Sequence, residues 1–384
     1  MSWFGKTEGY LGIDIGAHGI KLVELHKTKG RPQLWTYGLA NEELDIHLPT
    51  TEKTAEQLLS EGSLVIDDPK KRNLLMGKAD LPSLEDPRID RYAQLLKDLM
   101  ATAKVQSRQA TASLPVSYVF HTVLTMPRLE DKEVERVVKA EVAKMLPRPL
   151  DEMQIVFQKL PSLTVPKAGE KAVEKYMRVL VTAAPRVLIQ FYTAIFQRAG
   201  LQLQELETEA FALERSLVGR DQATVMVIDI GAERTNFFII DQSLPLTHRS
   251  ISTGGRMVDM ILSRTLGLPE EEIGQVKKDL SRLPKLDASL FSSIVDPIVK
   301  EIEYSFDLFV KQSGNESKRT EKIILTGGSS TLPFIKEEIS RHFPLRVFVG
   351  DPWARLVYQD GLRPVLDSLG PRMAVSIGLA LRKF

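Results

Sequence analysis

Apolar positions gather first in Tyr10-Leu-Gly-Ile-Asp-Ile-Gly16, and after a glycine-containing turn an alternation resumes from Ile20 to Leu25 around Lys21 and Glu24. Period-two alternation on both sides of a short turn predicts a β-hairpin. A third strand is expected over Gln33–Leu39. Residues 41–90 then hold many acidic, Pro and Ser/Thr positions with little periodicity, and read as a long surface insertion. Its Lys70-Lys71-Arg72 cluster reads as a solvated loop or as a contact to acidic lipid or a partner. Helical spacing returns over Arg91–Ala103, where Leu95, Leu96, Leu99 and Met100 form a stripe.

Two strand-like runs follow, Ala110–Leu114 and Ser117–Met126. An amphipathic helix is expected over Glu130–Met145, with Val134, Val137, Val138, Val142 and Met145 on one face and Pro147 and Pro149 stopping it. Strands Gln154–Leu160 and Tyr176–Ala183 flank a polar stretch, so residues 117–178 read as a small α+β module inserted into a larger domain. A helix over Arg186–Ala199 closes on Gly200. At Thr224 the opening pattern recurs as Val225-Met-Val-Ile-Asp-Ile-Gly231, followed by Thr235 and a strand Phe237–Asp241. Helices are expected over Arg256–Leu266, Glu270–Leu280, Ile294–Gln312, Phe334–His342 and Met373–Arg382. Among them lie strands Lys322–Leu325 and Leu345–Val349 and a loop Thr326-Gly-Gly-Ser-Ser330.

Composition narrows the chemistry. At 384 residues the chain is too long for a single compact core, since domains cluster near about 100–150 residues. Lys+Arg 51 against Asp+Glu 50 gives a formal charge of +1, which offers no general attraction to nucleic acid or anionic lipid. The absence of cysteine excludes disulfides, thiolate zinc sites, iron–sulfur clusters and cysteine nucleophiles. Six scattered histidines offer no HExxH-like pair, so a zinc hydrolase is not expected. No apolar run approaches the roughly 18–20 residues that span a bilayer. The opening Met1–Tyr10 lacks a signal-like apolar stretch. A soluble, cytosolic protein is expected, and Asn315-Glu316-Ser317 is then a chance glycosylation match.

The repeated Asp-x-Gly hairpin carries the chemistry. Gly16 and Gly231 let backbone N–H groups approach phosphate oxygens. Asp14 and Asp229, each at the end of an apolar strand, are placed to hold Mg²⁺ through water. One such motif is ordinary turn chemistry; two copies with the Thr-Gly-Gly-Ser-Ser loop predict a nucleotide clamp. No GxxxxGK[ST] loop is present, and Gly12, Gly16 and Gly19 do not form GxGxxG.

In this order the segments resemble the actin/Hsp70/sugar-kinase ATPase superfamily: Asp14–Lys21 its first phosphate motif, Asp229–Asn236 the second, and Leu325–Ser330 the adenosine motif. Within it the chain is similar, nearly end to end apart from residues 41–90, to the PilM family of type IV pilus assembly, itself similar to the FtsA division proteins. Gly12–Leu25, Leu114–Pro149, Gly200–Leu217 and Ser376–Arg382 carry that resemblance.

The resemblance implies an α/β fold of the actin/Hsp70-like ATPase type: two RNase H-like lobes around a nucleotide cleft, with an FtsA/PilM-type inserted subdomain, 1C. Residues 1–116, 179–222 and 365–384 would form lobe 1 (subdomain 1A), residues 117–178 subdomain 1C, and 223–364 lobe 2, with 2A and a 2B of about 256–312. It implies ATP with Mg²⁺ as cofactor, bound by Asp14, Gly16, Ala17, His18, Gly19 and Lys21 on one side. On the other side stand Asp229, Gly231, Thr235, Asn236, Gly255 and Lys277, with Gly327, Gly328 and Ser329 under the adenosine. Ala17-His18-Gly19 replace the family's serines, and Gly274 stands where a ribose-contacting glutamate is usual, leaving Lys277. His18 reads either as a phosphate ligand or as a solvent-facing turn residue, Lys21 as a phosphate contact or an exposed strand lysine. Glu209 either positions water or Mg²⁺ or complements a helix N-terminus.

The family further implies a partner, the N-terminal cytoplasmic peptide of the inner-membrane protein PilN, in a groove between 1A and 1C. Attachment to the membrane would then run through that partner. Oligomers or filaments stay open. No group for hydrolysis stands out beyond the clamp, so turnover is expected to be slow or absent. An FtsA-like, polymer-forming division protein is the alternative; the chain ends after its last expected helix without that family's amphipathic tail. A sugar kinase is disfavoured by the module's position.

Overall fold

The computed structural model describes residues 8–44, 81–161, 175–278, 280, 288–312 and 315–384. Two five-stranded sheets repeat one topology. The first, in spatial order, comprises β3 (Gln33–Ala40), β2 (Gly19–His26), β1 (Gly9–Gly16), β4 (Gln109–Leu114) and β8 (Gln202–Thr208). The second comprises β11 (Leu244–Ile251), β10 (Thr235–Asp241), β9 (Val225–Ile230), β12 (Lys322–Thr326) and β13 (Arg346–Val349). In each, an antiparallel meander passes into two parallel strands. The similarity of the two Asp-x-Gly hairpins therefore extends to whole sheets. A third sheet, β5 (Phe120–Pro127), β7 (Tyr176–Pro185) and β6 (Met153–Lys159), is antiparallel.

β1 and β2 are apolar almost throughout because both faces of their sheet are covered. Leu11, Ile13 and Leu22 pack with Tyr92 and Leu96 of α1 (Arg88–Thr102) and Phe191 of α3 (Arg186–Arg198). On the other face Val23 and Leu25 meet Met373 and Ile377 of α9 (Arg363–Ala380). The second sheet packs Ile228 and Phe237 against Ile298 of α7 (Ser292–Lys311) and Ile339 of α8 (Pro333–His342). On the small sheet, Val134, Val138 and Val142 of α2 (Asp131–Ala143) cover Met126, Val179 and Val181. Val137 is partly buried and Met145 is exposed beyond the helix end, so the helix presents a narrower stripe than its apolar positions predict.

The structure differs from the sequence reading at several elements. α9 begins at Arg363 rather than Met373, and Pro371 lies inside it. A proline in a helix interior normally marks a break, but here the carbonyl of Pro371 accepts hydrogen bonds from Gly327 N (2.9 Å) and Thr326 Oγ1 (3.0 Å). The helix runs unbroken through Pro371, and the turn is tied to the neighbouring loop. Strands β8 and β11 had no apolar signature: β8 alternates Leu with Glu and Gln at a sheet edge, and β11 carries Pro245, His248 and Arg249. The buried Arg249 is offset by Glu301 of α7, at 2.5 Å. Both ends of the expected 41–90 insertion belong to the folded lobe, since Leu44 is buried and α1 starts at Arg88 with Ile89 in the core. Residues 45–80, including Lys70-Lys71-Arg72, lie outside the described residues.

Helix α9 approaches its neighbours at backbone distance. A Cβ on Gly12 of β1 would fall 2.0 Å from Ser376 O and 2.4 Å from Ala380 N. A Cβ on Gly378 would fall 1.8 Å from the carbonyl oxygen of Ala212, in α4 (Glu209–Leu213). Gly378→Ala is expected to lower unfolding stability by about 3 kcal/mol or more, because backbone rather than a mobile side chain must move. Urea denaturation checks this, and an unchanged midpoint would show the seam to be loosely packed.

Candidate functional site

The two hairpins face a cleft of about 930 Å³. Asp14 is the antiparallel partner of Lys21, and Asp229 of Asn236. The side chain of Asp14 is buried, accepting from Lys21 Nζ at 3.1 Å and from Ser113 Oγ of β4 at 2.8 Å. Glu209 opens α4 at the cleft surface, where Asn236 Nδ2 donates to its Oε2 at 3.2 Å. The amide side chain of Asn236 is 9% exposed and its Oδ1 has no partner.

Three carboxylates thus share one poorly solvated floor. Burial, reinforced by the charge of Asp14 and opposed by Lys21, pushes the Asp229 carboxyl up to about 6. Burial and then the charges of Asp229 and Asp14 raise Glu209 well above the ordinary carboxylate range. Both shifts record negative charge that water and the single nearby lysine leave under-compensated.

A second set of residues gathers around the Thr-Gly-Gly-Ser-Ser loop. Gly327, at φ +86°, passes so close to β9 that a Cβ would lie 2.4 Å from Asp229 Oδ1. Ser329 N donates to Ile230 O at 3.1 Å. Gly255, first residue of α5 (Gly255–Leu266), donates its N–H to Gly231 O at 2.9 Å. A Cβ there would crowd Ser329 Oγ at 2.3 Å and Lys277 Nζ at 2.8 Å. Lys277, on α6 (Glu270–Lys278), donates to Gly255 O at 2.7 Å and pairs with Asp259 Oδ1 at 2.9 Å. A Cβ on Gly274 would meet nothing within 4 Å. Asp259 of the neighbouring helix, rather than a residue at 274, therefore supplies the carboxylate beside the lysine.

Most of the residues selected from sequence line this cleft: Asp14, Gly16, Ala17, His18 and Lys21 from the first hairpin, Glu209, and Asp229, Gly231 and Asn236 from the second. Gly255, Lys277, Gly327, Gly328 and Ser329 complete the set. Gly19 and Thr235 do not line it. Gly19 has φ +111° and turns where a Cβ would meet Ala40 O at 1.7 Å, so its part is to close the hairpin. Thr235 is fully buried and donates Oγ1 to Thr253 O at 2.7 Å, anchoring the loop before α5. His18 is exposed at the turn; partial burial of its ring and the charges of Arg372, Lys21 and Arg256 lower its pKa.

Sequence reasoning missed the residues that reach the cleft from distant segments. Ser113 orients Asp14 from 99 positions away. Arg256 spans from α5 to Glu43 at 2.7 Å and to Glu233 at 3.1 Å, while Arg372 of α9 donates to Asn41 Oδ1 at 2.6 Å. Arg234, in the second hairpin, also lines the cleft. Ser113, Glu43, Arg256 and Arg372 belong to no local motif, whereas Arg234 lies within the Asp229–Asn236 motif and was passed over there.

Comparison with known proteins gives the same picture. The family model described as type IV pilus assembly protein PilM matches residues 80–384. The chain is similar to a solved PilM-PilN type IV pilus biogenesis complex, with a TM-score of 0.73 and 23% identity over 97% of this chain and 98% of that one. It is also similar to ethanolamine utilization protein EutJ from Carboxydothermus hydrogenoformans, with a TM-score of 0.52 and 17% identity over 97% of this chain and 89% of that one. Together with the duplicated sheets, these likenesses show the expected actin/Hsp70-like ATPase fold.

The raised Asp229 carboxyl has a consequence for stability. Its unfolded value lies near 3.8 and its folded value near 6. The ligand-free protein therefore loses stability as pH rises from about 4 through 6. Asp229→Asn removes that loss. It is expected to stabilise the ligand-free protein by on the order of 1–3 kcal/mol above pH 6.5, with the difference vanishing toward pH 4. Thermal melts across pH check this, and a variant less stable at every pH would contradict the assigned strain.

Proposed function

The chain belongs to the PilM family of type IV pilus assembly proteins, and from that premise we propose that it is an ATP-binding scaffold for the N-terminal cytoplasmic peptide of PilN. The observation that carries the nucleotide part is the shared floor of Asp14, Asp229 and Glu209 between two glycine-bearing hairpins. A site that holds carboxylates against burial is suited to a cation. Among the described residues no three His, Asp or Glu side chains converge to ligate a metal directly, which fits Mg²⁺ held by Asp14 and Asp229 through water. The buried, unpartnered Oδ1 of Asn236 suits a bound water or ligand donor, and the glycine backbones at 16, 231, 255 and 327 leave room for phosphate and nucleoside. Mg²⁺ would neutralise phosphate charge. Lys21 contributes from the first hairpin, with Gly255, Lys277, Gly327, Gly328 and Ser329 toward the adenosine.

The subdomain division proposed from sequence is kept with two changes: the inserted subdomain runs to Pro185, because β7 is the central strand of the small sheet, and lobe 1 resumes at 363, where α9 starts. Between the first lobe and the small sheet lies a narrow notch lined by Leu81, Tyr118, Phe120, Pro147, Arg148 and Met153. We place the PilN peptide along this junction; the likeness to a PilM-PilN complex supports the choice of partner. Among the described residues no helix is long and apolar enough to cross a membrane. Association with the inner membrane would therefore run through PilN, from the cytoplasmic side. Cleft closure around nucleotide would set the relation of the lobes, a hinge-type switch, with hydrolysis slow or absent.

Titration of the protein with a synthetic PilN N-terminal peptide, with and without MgATP, tests the reading. Saturable peptide binding is expected in at least one nucleotide state, and its absence in both would overturn the scaffold role. The Asp14→Ala/Asp229→Ala double variant is expected to lose Mg²⁺-dependent ATP binding by tenfold or more while still binding peptide. MgATP affinity of the native protein should fall as pH drops through about 6, because the proton taken up by Asp229 competes with the metal.

A further inference from the structure

The cleft carries five Lys and Arg side chains, and four of them are engaged by protein groups. Lys21 pairs with Asp14, Lys277 with Asp259, Arg256 with Glu43 and Glu233, and Arg372 with Asn41. The fifth is Arg234. Among the described residues no hydrogen-bond or ion-pair partner meets its guanidinium, although its backbone carbonyl accepts from Gly231 N at 2.9 Å and so fixes it in the turn of the second hairpin. Burial lowers its pKa, while Tyr118, Glu233 and Glu209 act on it from a distance.

Arg234 lines the cleft from the turn of the hairpin that carries Asp229 and Asn236, which pair across its two strands. Two further buried polar atoms on residues that line the cleft lack partners: Asn236 Oδ1 and Ser117 Oγ. A partly desolvated guanidinium with no hydrogen-bonded or ion-paired anion is costly to hold and well suited to an anion that arrives. Its planar fork matches two oxygens of a phosphoryl group.

We propose that Arg234 binds the terminal phosphate of a nucleoside triphosphate, so that the cleft distinguishes triphosphate from diphosphate. The inference rests on the nucleotide reading above and deepens it, since the clamp of Asp14 and Asp229 by itself would hold either nucleotide with its metal.

The experiment compares MgATP and MgADP binding by calorimetry to the native full-length protein, Arg234→Met and Arg234→Lys, with a thermal melt of each ligand-free protein. The native protein is expected to prefer MgATP. Arg234→Met should weaken MgATP by about tenfold or more and MgADP by less than about twofold. Arg234→Lys should retain part of the preference. Arg234→Met should melt no lower than the native protein, because removing a guanidinium that no protein group hydrogen-bonds orphans no buried donor or acceptor. Equal loss for both nucleotides, or no loss for either, would overturn the role of Arg234 while leaving the nucleotide site standing. Failure of the native protein to bind either nucleotide would overturn both readings.

Discussion

Helix α9 can lie against β1 and α4 at backbone distance because Gly12 and Gly378 present no side chain where those backbones meet. From that seam the cleft takes its shape. On the same helix the Pro371 carbonyl accepts from Gly327 N and Thr326 Oγ1, bringing Gly327 against Asp229, and Arg372 donates to Asn41 at the cleft mouth. One element therefore touches the first sheet, the crossing helix α4 and the loop of the second sheet. A shift of α9 would change the separation of the two Asp-x-Gly hairpins without altering either of them.

The chemistry of the cleft follows from how its charges are distributed. Carboxylates gather at the strand ends, where burial raises Asp229 and Glu209 and leaves them short of positive charge. Toward the mouth and the glycine loop, cations are satisfied by protein groups, as Lys277 is by Asp259 and Gly255. The cleft's own charges are therefore unevenly balanced. A magnesium-bound polyphosphate supplies both a cation for the aspartates and an anion for a guanidinium, and no simple ion does both.

The inserted module is tied to both lobes. His121 of β5 donates Nε2–H to the carbonyl of Pro245 in the second lobe at 3.0 Å, and its ring stands 5.0 Å from that of His248. Just before β5, Ser117 lines the cleft and the adjacent Tyr118 lines the notch beside the small sheet. A ligand-dependent change at the cleft floor thus has a short physical route to the proposed peptide groove.

The hydrophobic pattern by itself determined the hairpins at Gly12–Leu25 and at Val225–Asp241, most of the helices, and the pairing of Asp14 with Asp229 as one motif used twice. These are local matters: strand period, helix spacing and the glycines that a tight turn requires. It placed the start of α9 ten residues late, since Pro371 reads as a break until the loop 326–330 is seen to hold it. It passed over β8 and β11, whose polar residues are satisfied only by partners elsewhere, such as Glu301 for Arg249. The family resemblance, not the pattern, placed Gly19 and Thr235 among the nucleotide-binding residues; in the structure Gly19 shapes a turn and Thr235 anchors a loop. Only tertiary structure decided which charges face each other. Ser113 beside Asp14 and Glu43 beside Arg256 arise from segments about a hundred to two hundred residues apart, and no local periodicity records such a meeting.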